Sequence, residues 1–458
     1  MKRDCHCFLL DWFESTYRKP LVLRGARQVG KTWLVRNFAE LKKLELLELN
    51  FEKRPDFASL FSSNDPKEIV ANLNASLNRR IDPKKTLLFL DEIQTAPKIL
   101  AKLRWFAEDM PQLAVIVAGS LLDFALAKHE FSMPVGRISY MYLEPFSFEE
   151  FLNATEKEGL KQYLESFNLN NQIPEEIHHQ LIKAVKEYMV VGGMPAAVAA
   201  WIDSQTPARV NQIHQDLLST YRDDFSKYSG RLDIERIEEV MAAIPKQLGE
   251  KFVYSQVNCS VSSSSLKQAL ELLTKARVCH QIDATAANGL PMGAEKNERY
   301  KKVIMLDCGL CGTSLGLSIH QLNLVKDLIL VNKGAMAEQF VGQALRSLCP
   351  AYQNPSMYYW QRTDKGSSAE VDYLIQHRQE IIPIEVKAGK TGTLKSLHQF
   401  MHAKEKKIAV RINSDFPSFG PVRVKTSSSV LVEYNLLSIP FYLLSHLPRL
   451  LDSLSDEN

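Results

Sequence analysis

The chain has 458 residues, too many for one compact core, and its length predicts about three domains. Apolar residues make up 45% and charged residues 24%, the proportions of an ordinary soluble globular protein. A net charge of +3 excludes nucleic-acid binding as an inference from total charge, so any such partner must be argued from local patches.

Residues 1–147 alternate apolar runs with helical patterns. PLVLRG, LELLELNF, TLLFL, LAVIVAGS and RISYMYL read as strands. KTWLVRNFAELKK, PKEIVANLNASLNRR and PKILAKLRWFAED read as the helices between them. Strand and helix in alternation predict a parallel sheet covered on both faces. Over 148–230 the strand signals vanish and helical spacing takes over, broken at VVGGMP, which predicts a helical lid. In 231–322 the helices RIEEVMAAIPKQLG and SSSLKQALELLTKAR precede short strands at VCHQIDA and KKVIMLD, the order of a winged helix. Residues 323–458 open with the helix GAMAEQFVGQALRSL and continue into MYYWQR, EVDYLIQ and EIIPIEVKAG, a second α/β unit.

Seven scattered cysteines, an odd number, argue against a disulfide framework and fit a reduced cytosol. Cys308 and Cys311 form a C-x-x-C pair, but no second pair completes a zinc site, so they read as plain thiols. Asp11 cuts the first apolar run too short for a signal peptide. The longest apolar stretch, Val190 to Trp201, contains Gly192, Gly193 and Pro195 and falls short of a membrane span. A cytoplasmic protein without membrane contact is expected.

Gly25-Ala26-Arg27-Gln28-Val29-Gly30-Lys31-Thr32 matches G-x-x-x-x-G-K-[ST] and lies between a strand and a helix, where a phosphate-binding loop must lie. The glycines let successive N–H groups turn toward a phosphate, and the helix start adds positive potential. Lys31 then reaches the β- and γ-phosphates of ATP, and the Thr32 hydroxyl binds Mg2+. TLLFL ends in Asp91 and Glu92, sixty residues beyond Lys31. An acid at that strand end sits beside the phosphates and holds the magnesium shell, while Glu92 orients or deprotonates the attacking water. Ser120 follows the next strand and either contacts the γ-phosphate or caps the helix LLDFALAKHE. Arg137 is a candidate charge stabiliser, in cis or from a neighbouring subunit, and Arg27 lies inside the loop itself.

GARQVGKT, LLFLDEIQ, VAGS, the PVGR–YLEPFSFEEF stretch, VGGMP and IMLDCGL together resemble a family of AAA+ superfamily ATPases of bacteria and archaea. In that family an ATPase core is fused to a carboxyl-terminal domain of unresolved role. The resemblance covers nearly the whole chain in order. It implies Mg-ATP as ligand, Gly25 to Thr32 as phosphate loop, Asp91 and Glu92 as the acid pair, Ser120 as sensor and Arg137 in the GR position.

The carboxyl-terminal unit carries a second constellation. Glu338 lies on a helix, Asp372 on a strand, and Glu385 and Lys387 share one face of the following strand. Two carboxylates around a divalent cation with a lysine beside them are the layout of metal-assisted phosphodiester cleavage. The pattern is similar to the PD-(D/E)XK nuclease superfamily, with Val371 in place of the proline and Glu338 at the upstream helix position. Val386 to Thr426 carries nine lysines and arginines against two acids, a surface suited to a phosphate backbone. Lys267 and Lys275 on the second helix of the winged-helix segment, and EKNERYKK between its strands, are further candidate DNA contacts. His398 and His402 stand i, i+4 without the glutamate a metalloprotease needs. The expected function is an ATP-hydrolysing switch or remodeller acting with DNA, as a possible homo-oligomer. An ATP-gated nuclease and a nucleotide-switched protein-interaction module are the alternatives.

Overall fold

The computed structural model describes residues 2–119, 122, 134–228, 232–317, 334–362, 369–389, 393–425 and 430–455. After helix α1 (His6–Glu14), the first unit runs β1 (Leu21–Arg24), α2 (Lys31–Leu41), β2 (Glu45–Asn50), α3 (Pro66–Leu77), β3 (Thr86–Asp91), α4 (Ile99–Asp109), β4 (Ala114–Ala118) and β5 (Ser139–Tyr142). The strands form one parallel sheet in the order β2-β3-β4-β1-β5. Every residue of TLLFLD and AVIVA is buried, as central strands covered on both faces require. Strand alternation divides these side chains between two cores: Leu87, Phe89 and Ile116 face one, and Leu88, Leu90 and Val117 the other.

The helical segment comprises α5 (Phe148–Ala154), α6 (Glu158–Ser166), α7 (Glu175–Val191), α8 (Pro195–Ser204) and α9 (Pro207–Tyr228). Ser147 and Glu150 close a capping box at the start of α5, and Arg3 pairs with the buried Glu150, tying the amino terminus to this helix. Gly192 ends α7 at φ +71, and its main chain lies so close to Asp307 that a Cβ would stand 2.0 Å from Oδ1. No other residue fits that position.

Next come α10 (Ile234–Ala243), α11 (Tyr254–Val257), α12 (Ser263–Lys275), β6 (Cys279–Thr285), β7 (Lys296–Met305) and α13 (Cys308–Ser314). The last segment holds α14 (Ala335–Ser347), β8 (Met357–Gln361), β9 (Glu370–His377), β10 (Glu380–Val386), α15 (Lys395–Lys404), β11 (Ile408–Asn413), β12 (Ser418–Lys425), β13 (Leu431–Pro440) and α16 (Leu447–Ser455). Helices followed by an antiparallel β6–β7 hairpin are present in the winged-helix order. That hairpin is no free-standing wing, because β6 also pairs in parallel with β8. One eight-stranded sheet, β12-β13-β11-β10-β9-β8-β6-β7, therefore runs across residue 322. One apolar core likewise extends from Leu9 and Leu21 through Tyr188 and Leu270 to Phe340 and Leu454.

Glu144, just after β5, joins the first unit to the last. Arg346 of α14 donates to it through Nη2 at 2.7 Å and Nε at 3.3 Å, and Arg277 donates through Nη1 at 3.1 Å. Burial opposes ionisation here, yet Arg346, His280 and Arg277 together hold the carboxyl down at about 2. A carboxyl lowered from 4.5 stabilises the fold at every pH above about 4.5, and that contribution disappears as pH falls through 2. The difference corresponds to roughly 3 kcal/mol. Glu144→Gln should therefore lower the unfolding midpoint at pH 7 while flattening its dependence on pH between 4.5 and 2. Differential scanning calorimetry of both proteins checks this, and parallel acid profiles would show that Glu144 carries no such share.

Candidate active site

The phosphate loop leaves β1 after Arg24 and turns through Gln28 (φ 63) and Gly30 (φ 96) before α2 begins at Lys31. A left-handed residue directly before a helix start points main-chain N–H groups into the turn, forming an anion cradle. Lys31 is buried, and its Nζ donates to the carbonyls of Gly25 at 2.9 Å and Ala26 at 2.8 Å. Burial pushes this ammonium down to about 8, against the upward pull of Glu92 and Asp91; Arg277 and Arg27 add a smaller downward push.

β3 delivers Asp91 to the same sheet edge. The Thr32 hydroxyl donates to Asp91 Oδ2 at 3.2 Å, and Asn50 Nδ2, from the end of β2, donates to that oxygen at 3.4 Å. Burial and the neighbouring Glu92 raise the Asp91 carboxyl, while the Thr32 hydrogen bond lowers it. The hydroxyl and carboxylate oxygens of Thr32 and Asp91 are hard donors already in contact, and they fit magnesium. Glu92 takes a left-handed backbone (φ 53, ψ 43), unusual for a non-glycine residue. Its Oε2 accepts a hydrogen bond from Gln94 Nε2 at 2.5 Å, so the base candidate is held by a neighbour two residues on. Sequence reasoning passed over Gln94, although it stands inside the quoted LLFLDEIQ run.

Ser120 lies outside the described residues. Arg137 precedes the amino end of β5, while the phosphate loop follows the carboxyl end of β1, with Leu21 beside Ser139 and Arg24 beside Tyr142. Arg137 lies five residues before Tyr142 at the loop's edge, about 17 Å of extended chain. Its Nε instead donates to Glu108 Oε1 at 2.6 Å on the surface. Parallel topology thus sets Arg137 away from its own phosphate loop, as a surface partner of Glu108. Arg27 is held by α9: Asp224 pairs with its guanidinium, and Tyr221 Oη donates to its carbonyl at 2.8 Å. Tyr221 and Asp224 lie one turn apart on α9, a spacing visible in sequence but with nothing there to point it at Arg27.

The VGGMP turn sits directly on the phosphate loop. A Cβ at Gly30 would meet Pro195 Cγ at 3.5 Å. Asp307 of the LDCGL segment is completely buried and holds this turn from behind. Its Oδ2 accepts from the Gly193 N–H at 2.6 Å and from Gln343 Nε2 at 3.1 Å. Its Oδ1 accepts from the Gly309 and Leu310 N–H groups at 3.0 and 3.1 Å, capping α13. Cys308 and Cys311 are buried free thiols on that helix.

The second constellation also converges. Val386 N–H donates to Asp372 Oδ2 at 2.7 Å across the β9–β10 pair, and Lys387 Nζ lies 2.6 Å from Glu385 Oε1. Burial and Asp372 push the Glu385 carboxyl up to about 7 and the Glu338 carboxyl up to about 8. Lys302, expected to touch phosphate from a wing, is instead buried beside Glu338, Glu370 and Asp372, because strand alternation turns it inward. Among the described residues no group of three or more His, Cys, Asp or Glu side chains is arranged to hold a metal ion. Three of the nine basic residues between Val386 and Thr426 also face carboxylates: Lys387 with Glu385, Lys406 with Glu380, and Arg423 with Glu433. His398 is partnered by Tyr434.

Residues 17–152 match the family model of the AAA domain. Residues 182–321 and 333–427 each match a domain of unknown function, DUF8612 and DUF4143. No curated protein matches the chain. Among solved structures it is similar to the Walker-type ATPase PABY2304 of Pyrococcus abyssi, at 15% identity over 68% of this chain and 95% of that one, with a TM-score of 0.43. It is also similar to the Aeropyrum pernix ORC1 protein solved in complex with DNA, at 13% identity over 69% of this chain and 91% of that one (TM-score 0.29). The Thermotoga maritima RuvB Holliday junction branch migration motor follows at 14% identity, over 59% and 85%, with a TM-score of 0.26. The first unit of the chain is an AAA-type P-loop ATPase domain. No helix among the described residues is long and apolar enough to cross a membrane.

The lowered Lys31 ammonium has a measurable consequence. Phosphates favour its charged form, so ATP affinity should be flat below pH 8. Above that it should fall by up to about tenfold per pH unit, as binding takes up a proton. Titration of a fluorescent ATP analogue from pH 7 to 9.5, with calorimetry in two buffers to count protons, checks this; a flat affinity without proton uptake would contradict it.

Proposed function

We propose that this chain is an ATP-hydrolysing molecular switch that acts with DNA. The observation that carries the hydrolytic part is the meeting of Thr32, Asp91 and Glu92 at one sheet edge beside the glycine loop. Lys31 leaves the Gly25 and Ala26 carbonyls to neutralise the β- and γ-phosphates. Thr32 and Asp91 hold Mg2+, which when bound draws charge from the phosphate oxygens. Glu92, fixed by Gln94, accepts a proton from the attacking water. The loop's arginine and its final glycine touch α9 and Pro195, so the loop's state is felt by the helical segment.

The DNA part is supported by basic surface on the rear of the molecule. Lys395, Lys407 and Lys425 are exposed there. Positive surface of this kind reads phosphate backbone without sequence preference.

Three outcomes test this reading. Lys31→Ala should abolish ATP binding, whereas Glu92→Gln should bind ATP and hydrolyse it about a hundredfold more slowly or worse. Equal turnover by wild type and Glu92→Gln in a phosphate-release assay would remove Glu92 from its role. If Arg137 serves a neighbouring subunit, mixing Arg137→Ala with Lys31→Ala should restore part of the turnover, and no rescue would assign the arginine to Glu108 alone. Fluorescence anisotropy of the full chain with duplex DNA should show binding that weakens steeply with salt. The full chain is needed because cutting near residue 325 would strip β6 from β8. Absence of salt-sensitive binding would favour a protein partner.

A further inference from the structure

The nuclease-like cluster is arranged around an ammonium group. Lys302 of β7 is 2% exposed, and its Nζ lies 3.1 Å from Glu338 Oε2 and 3.7 Å from Asp372 Oδ1, with Glu370 as a third partner. These carboxylates come from α14 and β9, so the lysine enters from a different segment of the chain. The Tyr359 ring lies 5.4 Å from the same ammonium. Glu385, the remaining acid, is engaged through Oε1 by Lys387, and its Oε2 has no hydrogen-bond partner. A single free oxygen cannot chelate a cation.

The structure assigns to Lys302 the place a divalent cation would occupy: its ammonium closes the Glu338–Glu370–Asp372 cluster as an internal counter-ion. The site is then a structural lock between the β6–β7 hairpin and the rear α/β unit, and it cuts no phosphodiester. With the ammonium already at the centre of these acids, like-charge repulsion disfavours a divalent ion at the same point. A lysine serves here where a metal would not, because it arrives with the fold and stays covalently attached to β7. Glu370 supports this assignment independently. It extends the acid set beyond the nuclease-like pattern and is directed at Lys302 rather than at Glu385.

The test is a Mn2+ titration of the nucleotide-free full-length chain followed by electron paramagnetic resonance. Wild type should bind no equivalent that Asp372→Asn removes, and it should nick no plasmid in Mn2+. Lys302→Gln should gain about one equivalent of Mn2+, lost again in Lys302→Gln/Asp372→Asn. Wild type binding one equivalent that Asp372→Asn abolishes would overturn the assignment, as would a folded Lys302→Gln that gains none. If Lys302→Gln does not fold, the wild-type titration with its Asp372→Asn control decides alone. A second reading uses protein carrying 15N-labelled lysine: a slowly exchanging Lys302 ammonium signal, unmoved by Mn2+, supports the internal counter-ion.

Discussion

The buried carboxylate of Asp307 is the constraint on which the arrangement depends. It accepts from four N–H groups that belong to three parts of the chain: the VGGMP turn, the start of α13 and Gln343 of α14. A wholly buried charge is tolerated only when its oxygens are filled in this way. With Gly193 held, Pro195 rests against Gly30 and the phosphate loop acquires a wall made by the helical segment. Tyr188 Oη, which accepts from Gln343 at 2.9 Å, donates to the Phe146 carbonyl and extends the network back toward β5.

Glu144 performs the matching task on the other flank. It follows the edge strand of the ATPase sheet and draws in Arg277 and Arg346, so two hubs hold α14 one turn apart, at Gln343 and Arg346. Breaking a buried pair leaves an uncompensated charge, typically costing several kcal/mol, whereas an exposed pair such as Arg137–Glu108 contributes little. Lys31 donates to the Gly25 and Ala26 carbonyls from inside the loop, and from outside, the loop is met by Asp224, on Arg27, and by Pro195, against Gly30. Both sit on the helical segment, which Asp307 couples to the rear sheet.

In the rear unit much of the charge is spent internally. Lys302, Lys387, Lys406 and Arg423 all have carboxylate partners. The basic excess counted along the chain therefore overstates the positive surface, to which exposed lysines such as Lys407 contribute. A nuclease-like pattern of acids survives while the space among them holds an ammonium.

The sequence by itself determined the parallel ATPase sheet, the phosphate loop and the placement of Asp91 and Glu92 at its edge. Those features depend on local spacing: a buried strand, a glycine turn and a helix start follow one another within a dozen residues, and strand direction does the rest. The approach of Asp372 to Glu385 was legible for the same reason, since a hairpin register is short-range. Only the tertiary structure decided what faces these groups. Lys302 reads in sequence as one more cation of EKNERYKK, and burial among three acids 36 to 70 residues away makes it a counter-ion. Arg277 reads as the end of the second helix of the winged-helix segment and becomes a partner of Glu144. Arg137 reads as a charge stabiliser in cis or from a neighbour, and the parallel direction of β1 and β5 puts it at the edge away from its own phosphate loop. Long-range charge pairing leaves no periodic trace along a chain, because a carboxylate selects its partner by position in the fold and not by distance in sequence.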